Sequence, residues 1–168
     1  HWGDLDYLLL DLPPGTGDIA MSLGQKVPTA EVLVVTTPQQ AASEVAERAG
    51  TMAALMNQKI IGVVENMSWL AFTAPDTGKE YRIDLFGSGG GQEAADALSK
   101  RLGTEVPLLA QVPMDIELRK GGDEGDPIVT AHPESPAAQA IVELAKNLDS
   151  RPRGLSGMHL GVSPTNNA

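Results

Sequence analysis

Tyr7-Leu8-Leu9-Leu10-Asp11-Leu12-Pro13-Pro14-Gly15-Thr16-Gly17-Asp18 is the stretch that decides the class of fold. An apolar run this short reads as a strand buried on both faces, the kind used by parallel sheets, and Pro13-Pro14-Gly15 closes it with a sharp loop. The same arrangement recurs downstream. Glu31-Val32-Leu33-Val34-Val35-Thr36-Thr37 ends at Pro38, Ile60-Ile61-Gly62-Val63-Val64 ends at Glu65-Asn66, and Pro107-Leu108-Leu109-Ala110-Gln111-Val112 ends at Pro113. All are too short for helices.

Between these runs the apolar spacing becomes helical. Val45, Ala49, Met52 and Met56 share one face of a stretch from about Gln39 to Asn57, which predicts an amphipathic helix. Ala95, Leu98 and Leu102 repeat the pattern before Gly103, a C-terminal stop. Ser135-Pro136 reads as an N-cap followed by a first-turn proline, leading into Ile141, Ala145 and Leu148. Strands alternating with helices imply right-handed crossovers, hence an α/β fold with a parallel sheet and helices on both faces. Asp76-Thr77-Gly78-Lys79 reads as a hairpin turn inserted after the third strand. Residues 1–149 are expected to be part of one domain. From Ser150 onward Gly, Ser, Pro and Asn dominate without periodicity, which predicts a flexible tail over residues 150–168.

Composition narrows the function. The 168 residues are 42% hydrophobic and 20% charged, enough for a core of their own. Twenty-two acidic against 12 basic residues give a net charge of -10, with Lys and Arg scattered and no basic patch beyond the close pair Arg151 and Arg153, so no nucleic-acid partner is expected. Cysteine is absent, which removes disulfides and thiolate ligands and fits a reducing compartment. The apolar runs fall well short of the ~20 residues of a membrane span, so a soluble, cytoplasmic chain with no membrane partner is expected. The opening His1-Trp2-Gly3-Asp4 is no signal peptide and reads as a cut edge. His1, His132 and His159 are given no chemistry.

Ligands of open parallel sheets bind beyond the carboxyl ends of the strands. Those ends are the Asp11-to-Asp18 string, Thr37-Pro38-Gln39, Glu65-Asn66-Met67 and Pro113-Met114-Asp115. Asp11 suits a hard cation held through water. Gly15 and Gly17 let backbone amides approach a phosphate, and Asp18 can cap the next helix or orient water. A plain strand-to-helix turn is the competing reading. Gly87-Ser88-Gly89-Gly90-Gly91 lacks the Lys-Ser/Thr ending of a phosphate-binding loop and reads as a structural turn.

Leu8 to Asp18 resembles the Walker B and switch II segment of the Mrp/ApbC ATPases, iron-sulfur cluster carriers related to MinD. The resemblance continues through Val34-Val35-Thr36-Thr37-Pro38-Gln39, Gly62-Val63-Val64-Glu65-Asn66-Met67-Ser68, Phe86-Gly87-Ser88-Gly89-Gly90-Gly91 and Val112-Pro113-Met114-Asp115, covering most of residues 2–149. It extends to Arg153-Gly154-Leu155-Ser156-Gly157-Met158, which places Ala168 at or near a natural end. It implies an incomplete MinD-like P-loop NTPase fold. It also implies that Asp11 binds Mg2+ through water, that the Gly15 amide senses the γ-phosphate of ATP, and that Asp18 belongs to the same catalytic loop. Asn66 would hydrogen-bond the adenine edge, with Pro113 and Asp115 flanking the base. The plainer alternatives are that Asn66 satisfies nearby backbone groups and that Asp115 caps a short helix.

The function so implied is an ATP-driven carrier that passes iron-sulfur clusters to apoprotein clients, working as a cytoplasmic homodimer. A MinD/ParA-like switch that positions a partner is the second reading; it would end in a basic amphipathic helix, for which Arg151 to Ala168 has too few apolar and basic residues. A noncatalytic remnant is the third. Two departures bear on all three. The family's Gly-Lys-Gly-Gly-x-Gly-Lys-Ser/Thr loop is absent, so the segment alone is expected neither to bind ATP tightly nor to hydrolyse it. The strand that carries this loop should lie between the Asp11 and Val34 strands, and without it their edges stand unpaired. Nor is there a Cys-x-x-Cys pair in Trp69 to Tyr81, where the family places its cluster ligands, and Asp76, Glu80 and Asp84 are poor ligands for a soft metal.

Overall fold

The computed structural model describes residues 2–13 and 17–151, with Glu80 in its backbone only. Helix α1 (Asp18–Lys26) leads to strand β1 (Glu31–Thr36), helix α2 (Gln40–Leu55) and the long strand β2 (Lys59–Thr73). Strand β3 (Glu80–Ile83), helix α3 (Gly90–Leu102) and strand β4 (Leu108–Met114) follow. Three helices close the described chain: α4 (Ile116–Glu124), α5 (Ile128–Ala131) and α6 (Pro136–Asp149).

Strands β1, β2 and β4 are parallel, with β2 between the other two. The sheet is mixed because β3 runs antiparallel to the outer part of β2, from Leu70↔Ile83 to Thr73↔Glu80. The expected hairpin turn is there, with Gly78 N–H donating to the Ala74 carbonyl. What the apolar pattern did not foretell is that β2 runs on past Glu65-Asn66. Its pairing with β4 slips between Asn66 and Leu70, and at this bulge Met67 takes a left-handed φ of 56°. Beyond the bulge the ribbon stacks Phe72 on Tyr81, with centroids 5.3 Å apart, and lays the Arg82 guanidinium 4.1 Å from the Trp69 ring centroid.

Helices pack on both faces of the sheet. Val34, Ile60 and Val63 meet Ala46 and Ala53 of α2 and Ala94, Ala95 and Leu98 of α3 in one core. Val64 and Val112 meet Ile128, Ala137 and Ala138 in the other. Gly103 ends α3 in the left-handed conformation and Ser135 caps α6 by accepting from Ala138 N–H, both as expected. The packed face of α2 differs from the expected one. Ser43, Ala46, Gly50 and Ala53 are buried, whereas Val45 is exposed and Ala49, Met52 and Met56 are only partly covered. Small residues win this face because α3 approaches closely: a β-carbon at Gly50 would lie 2.7 Å from Leu98 Cδ2. Met56 turns aside toward Gly24 of α1.

The first apolar run is the main correction. Residues 7–12 join no ladder, and Leu9 is 88% exposed. The outer edge of β1 bonds no strand among the described residues, and Val35 on that strand is 60% exposed. A strand exists only by exchanging hydrogen bonds with a neighbour, and the described residues supply none between this run and β1. Tyr7 instead donates its hydroxyl hydrogen to the Asp149 carboxylate at the end of α6. Among the described residues, no helix is long and apolar enough to cross a membrane.

Candidate functional site at the carboxyl ends of the strands

Parallel register carries three of the strand ends to one edge of the sheet. Thr36 pairs with Glu65 and Asn66 with Val112, so Thr37-Pro38, Asn66 and Pro113 stand side by side there. Asn66 is half-buried; its Oδ1 accepts from Met67 N–H at 2.9 Å, and its amide hydrogens find no acceptor among the described residues. Oδ1 keeps a second lone pair, so the amide can still donate and accept toward a ligand. Thr37 Oγ1 is buried and without a partner among the described residues. Such an orphaned hydroxyl costs on the order of 1–3 kcal/mol unless water or a ligand completes it.

The other expected residues are placed less centrally. Pro113 is buried within β4. Asp115 is the N-cap of α4, its Oδ1 accepting from Glu117 N–H at 2.8 Å and Leu118 N–H at 3.3 Å. Asp18 opens α1 as its first residue, while the cap position belongs to Gly17. Asp11 is exposed and no ladder joins it to the other strand ends. Gly15 lies outside the described residues, as do His1, His159 and residues 152–168 of the expected tail.

The Gly-rich turn is held from below by a residue that the sequence pattern did not single out. Glu65 is 1% exposed. Its Oε2 accepts from Gly91 N–H at 2.7 Å and its Oε1 from Gln111 Nε2 at 2.7 Å. A carboxylate therefore fills the amino terminus of α3, where backbone amides would otherwise await an anion. The one available signal was a charged residue directly after an apolar run, in a position that continued pairing would bury.

Residues 1–149 match the family described as ParA, the NUBPL iron-transfer P-loop NTPases. The chain belongs to this family. An iron-sulfur cluster carrier protein of Mycobacterium leprae is 54% identical over 165 residues, which are 98% of this chain and 42% of that protein. A carrier of the same name from Deinococcus radiodurans is 49% identical over 88% of this chain and 39% of its own. The chain thus spans about 42% of the curated relative's length. Among solved structures, a nucleotide-binding protein of Archaeoglobus fulgidus in complex with ADP is 38% identical with a TM-score of 0.55, over 74% of this chain and 47% of that one. The cell-division ATPase MinD of Pyrococcus furiosus is 28% identical with a TM-score of 0.52, over 71% of this chain and 42% of its own.

Measured against the nucleotide and Mg2+ that a P-loop NTPase family implies, the residues present fit in part. The free amide hydrogens of Asn66 and the orphaned Thr37 hydroxyl suit a polar ligand at the rim, and exposed Asp11 suits a hydrated cation. Among the described residues the Gly-rich turn offers a polyphosphate no clamp, since the Glu65 carboxylate already occupies it. Among the described residues no group of three or more His, Asp or Glu could hold a metal ion.

Proposed function

We propose that this segment supplies the base-binding rim and the magnesium carboxylate of a nucleotide-driven iron-sulfur cluster carrier. The observation that carries the reading is the side-by-side placement of Thr37, Asn66 and Pro113 at the carboxyl edge of a parallel sheet, in a chain whose relatives are named as cluster carriers. Asn66 would orient the base, Pro113 and Asp115 would border it, and Asp11 would hold Mg2+ through its water shell, with Gly15 and Asp18 in the loop that follows. Bound Mg2+-ATP would supply phosphoryl transfer; the residues of this chain bind and orient. The cluster is cargo. Because the chain has no cysteine, any thiolate ligands to it come from outside these residues. Action as a cytoplasmic homodimer with apoprotein clients belongs to the same proposal. The relatives named as carriers, at 49–54% identity, favour it over a MinD-like positioning switch, for which the comparison stands at 28%.

Asp11→Asn in the full-length protein tests the reading. ATP hydrolysis at saturating Mg2+ should fall at least tenfold, while ADP binding in the absence of Mg2+ stays unchanged. Hydrolysis that survives the substitution would remove the magnesium role. The 168-residue chain alone should hydrolyse no ATP.

A further inference from the structure

We infer that Glu65 is the positioning residue of the base-binding edge, holding the Asn66 amide in place by fastening the end of β2 to α3 and to β4. The inference rests on the nucleotide reading above. Helix α3 has no side-chain cap of its own, its N-cap being Gly89. The Glu65 carboxylate takes that office across the sheet, accepting from Gly91 N–H with one oxygen and from Gln111 with the other. The contact admits no side chain at Gly91, where a β-carbon would lie 2.6 Å from Glu65 Cβ. The neighbouring Gly90 is pressed equally closely into the end of β1: a β-carbon there would meet the Pro38 carbonyl oxygen at 2.4 Å. Ser43 Oγ donates to the Gly90 carbonyl at 2.8 Å, closing the same notch from α2.

Glu65 is also tied through its backbone. Its carbonyl accepts from the buried Ser68 hydroxyl at 2.9 Å, across the bulge that contains Asn66 and Met67. Asn66 therefore stands between a side-chain anchor on one side and a left-handed residue on the other. Without the anchor, the strand end keeps its ladder pairs to β1 and β4 but loses its side-chain ties to α3 and Gln111, and the hydrogen bonds of a planar amide to a planar base weaken steeply once their angles are disturbed. Glu65 itself is buried among its partners; its effect reaches the base through Asn66.

The test compares ADP with GDP binding by calorimetry in the full-length protein, well below its melting temperature. Asn66→Ala should reduce the preference for ADP roughly five- to tenfold, the worth of one or two amide hydrogen bonds. Glu65→Ala should reduce it by a similar factor, and the double variant should lose nothing further. Glu65→Gln should retain the preference, because its amide oxygen can accept from Gly91 while Gln111 turns its own oxygen toward the new NH2 group. Should Glu65→Ala fail to fold, Gln111→Ala removes one arm at an exposed residue and should give a partial loss. A lower melting temperature with an intact ADP preference in these variants would overturn the inference and leave the base site standing. A wild-type protein that does not distinguish ADP from GDP would remove the base-site reading and this inference together.

Discussion

Gly50→Ala should destabilise the native protein but stabilise a Leu98→Ala variant. In the native structure a β-carbon at position 50 would lie 2.7 Å from Leu98 Cδ2 and 3.1 Å from Cδ1, far inside the ~3.5–4.0 Å optimum for carbon pairs. Leu98 is completely buried, so it cannot yield by turning into solvent. Overpacking of this kind costs about 1–3 kcal/mol, and replacing a helical glycine returns about 1 kcal/mol. The net is a loss of about 0–2 kcal/mol. Leu98→Ala alone should cost about 2–5 kcal/mol. It also removes all three Leu98 atoms near the added carbon, so only the helix gain remains and Gly50→Ala becomes favourable by about 1 kcal/mol. Urea denaturation of the four proteins reads this directly as midpoint shifts at constant slope. An equal cost of Gly50→Ala in both backgrounds would refute the claim that small residues of α2 set the distance to α3.

Two further outcomes follow from placement. Leu9→Ala should change the stability of the 168-residue chain by less than about 0.5 kcal/mol, as expected for so exposed a side chain, yet cost about 2–5 kcal/mol in the full-length protein if the run there is a buried strand; equally small effects in both would show that it is not. Asp115→Ala should cost about 1 kcal/mol through loss of the α4 cap, and Asp115→Asn should restore that stability because Asn caps equally well. Thermal melting of the pair checks the cap.

Local signals in the sequence carried much of the fold. The N-cap at Ser135, the helix stop at Gly103, the hairpin turn and three of the four apolar runs needed only neighbouring residues to be read. What escaped depended on distant partners. The run from Tyr7 to Leu12 has strand composition, but a strand requires an edge to pair with, and no local pattern reveals whether one is present. On α2, the larger side chains suggested the wrong face because closeness to α3 is set by Leu98, more than 40 residues away. At the site, Asn66 and Pro113 were visible as strand ends, and register brings them together. Glu65 was passed over because its two partners lie 26 and 46 residues further on.

The bulge at Asn66-Met67 joins these observations. Strand β2 regains its parallel partner β4 beyond the bulge, at Leu70↔Met114, where it also enters the antiparallel ribbon with β3 at Leu70↔Ile83; an inserted turn of backbone re-aims a strand without breaking it. Met67 bears the strain of that turn, since a left-handed conformation costs a non-glycine residue on the order of 1–2 kcal/mol. Three hydrogen bonds offset it locally: Met67 N–H to Asn66, the Ser68 hydroxyl to Glu65, and Gly91 N–H to the Glu65 carboxylate. Strained backbone persists only where the surroundings over-determine it, and here these three bonds do so around Asn66. Glu65, Asn66, Met67 and Ser68 thus turn the strand and anchor α3 together, so that neither can be altered without disturbing the other.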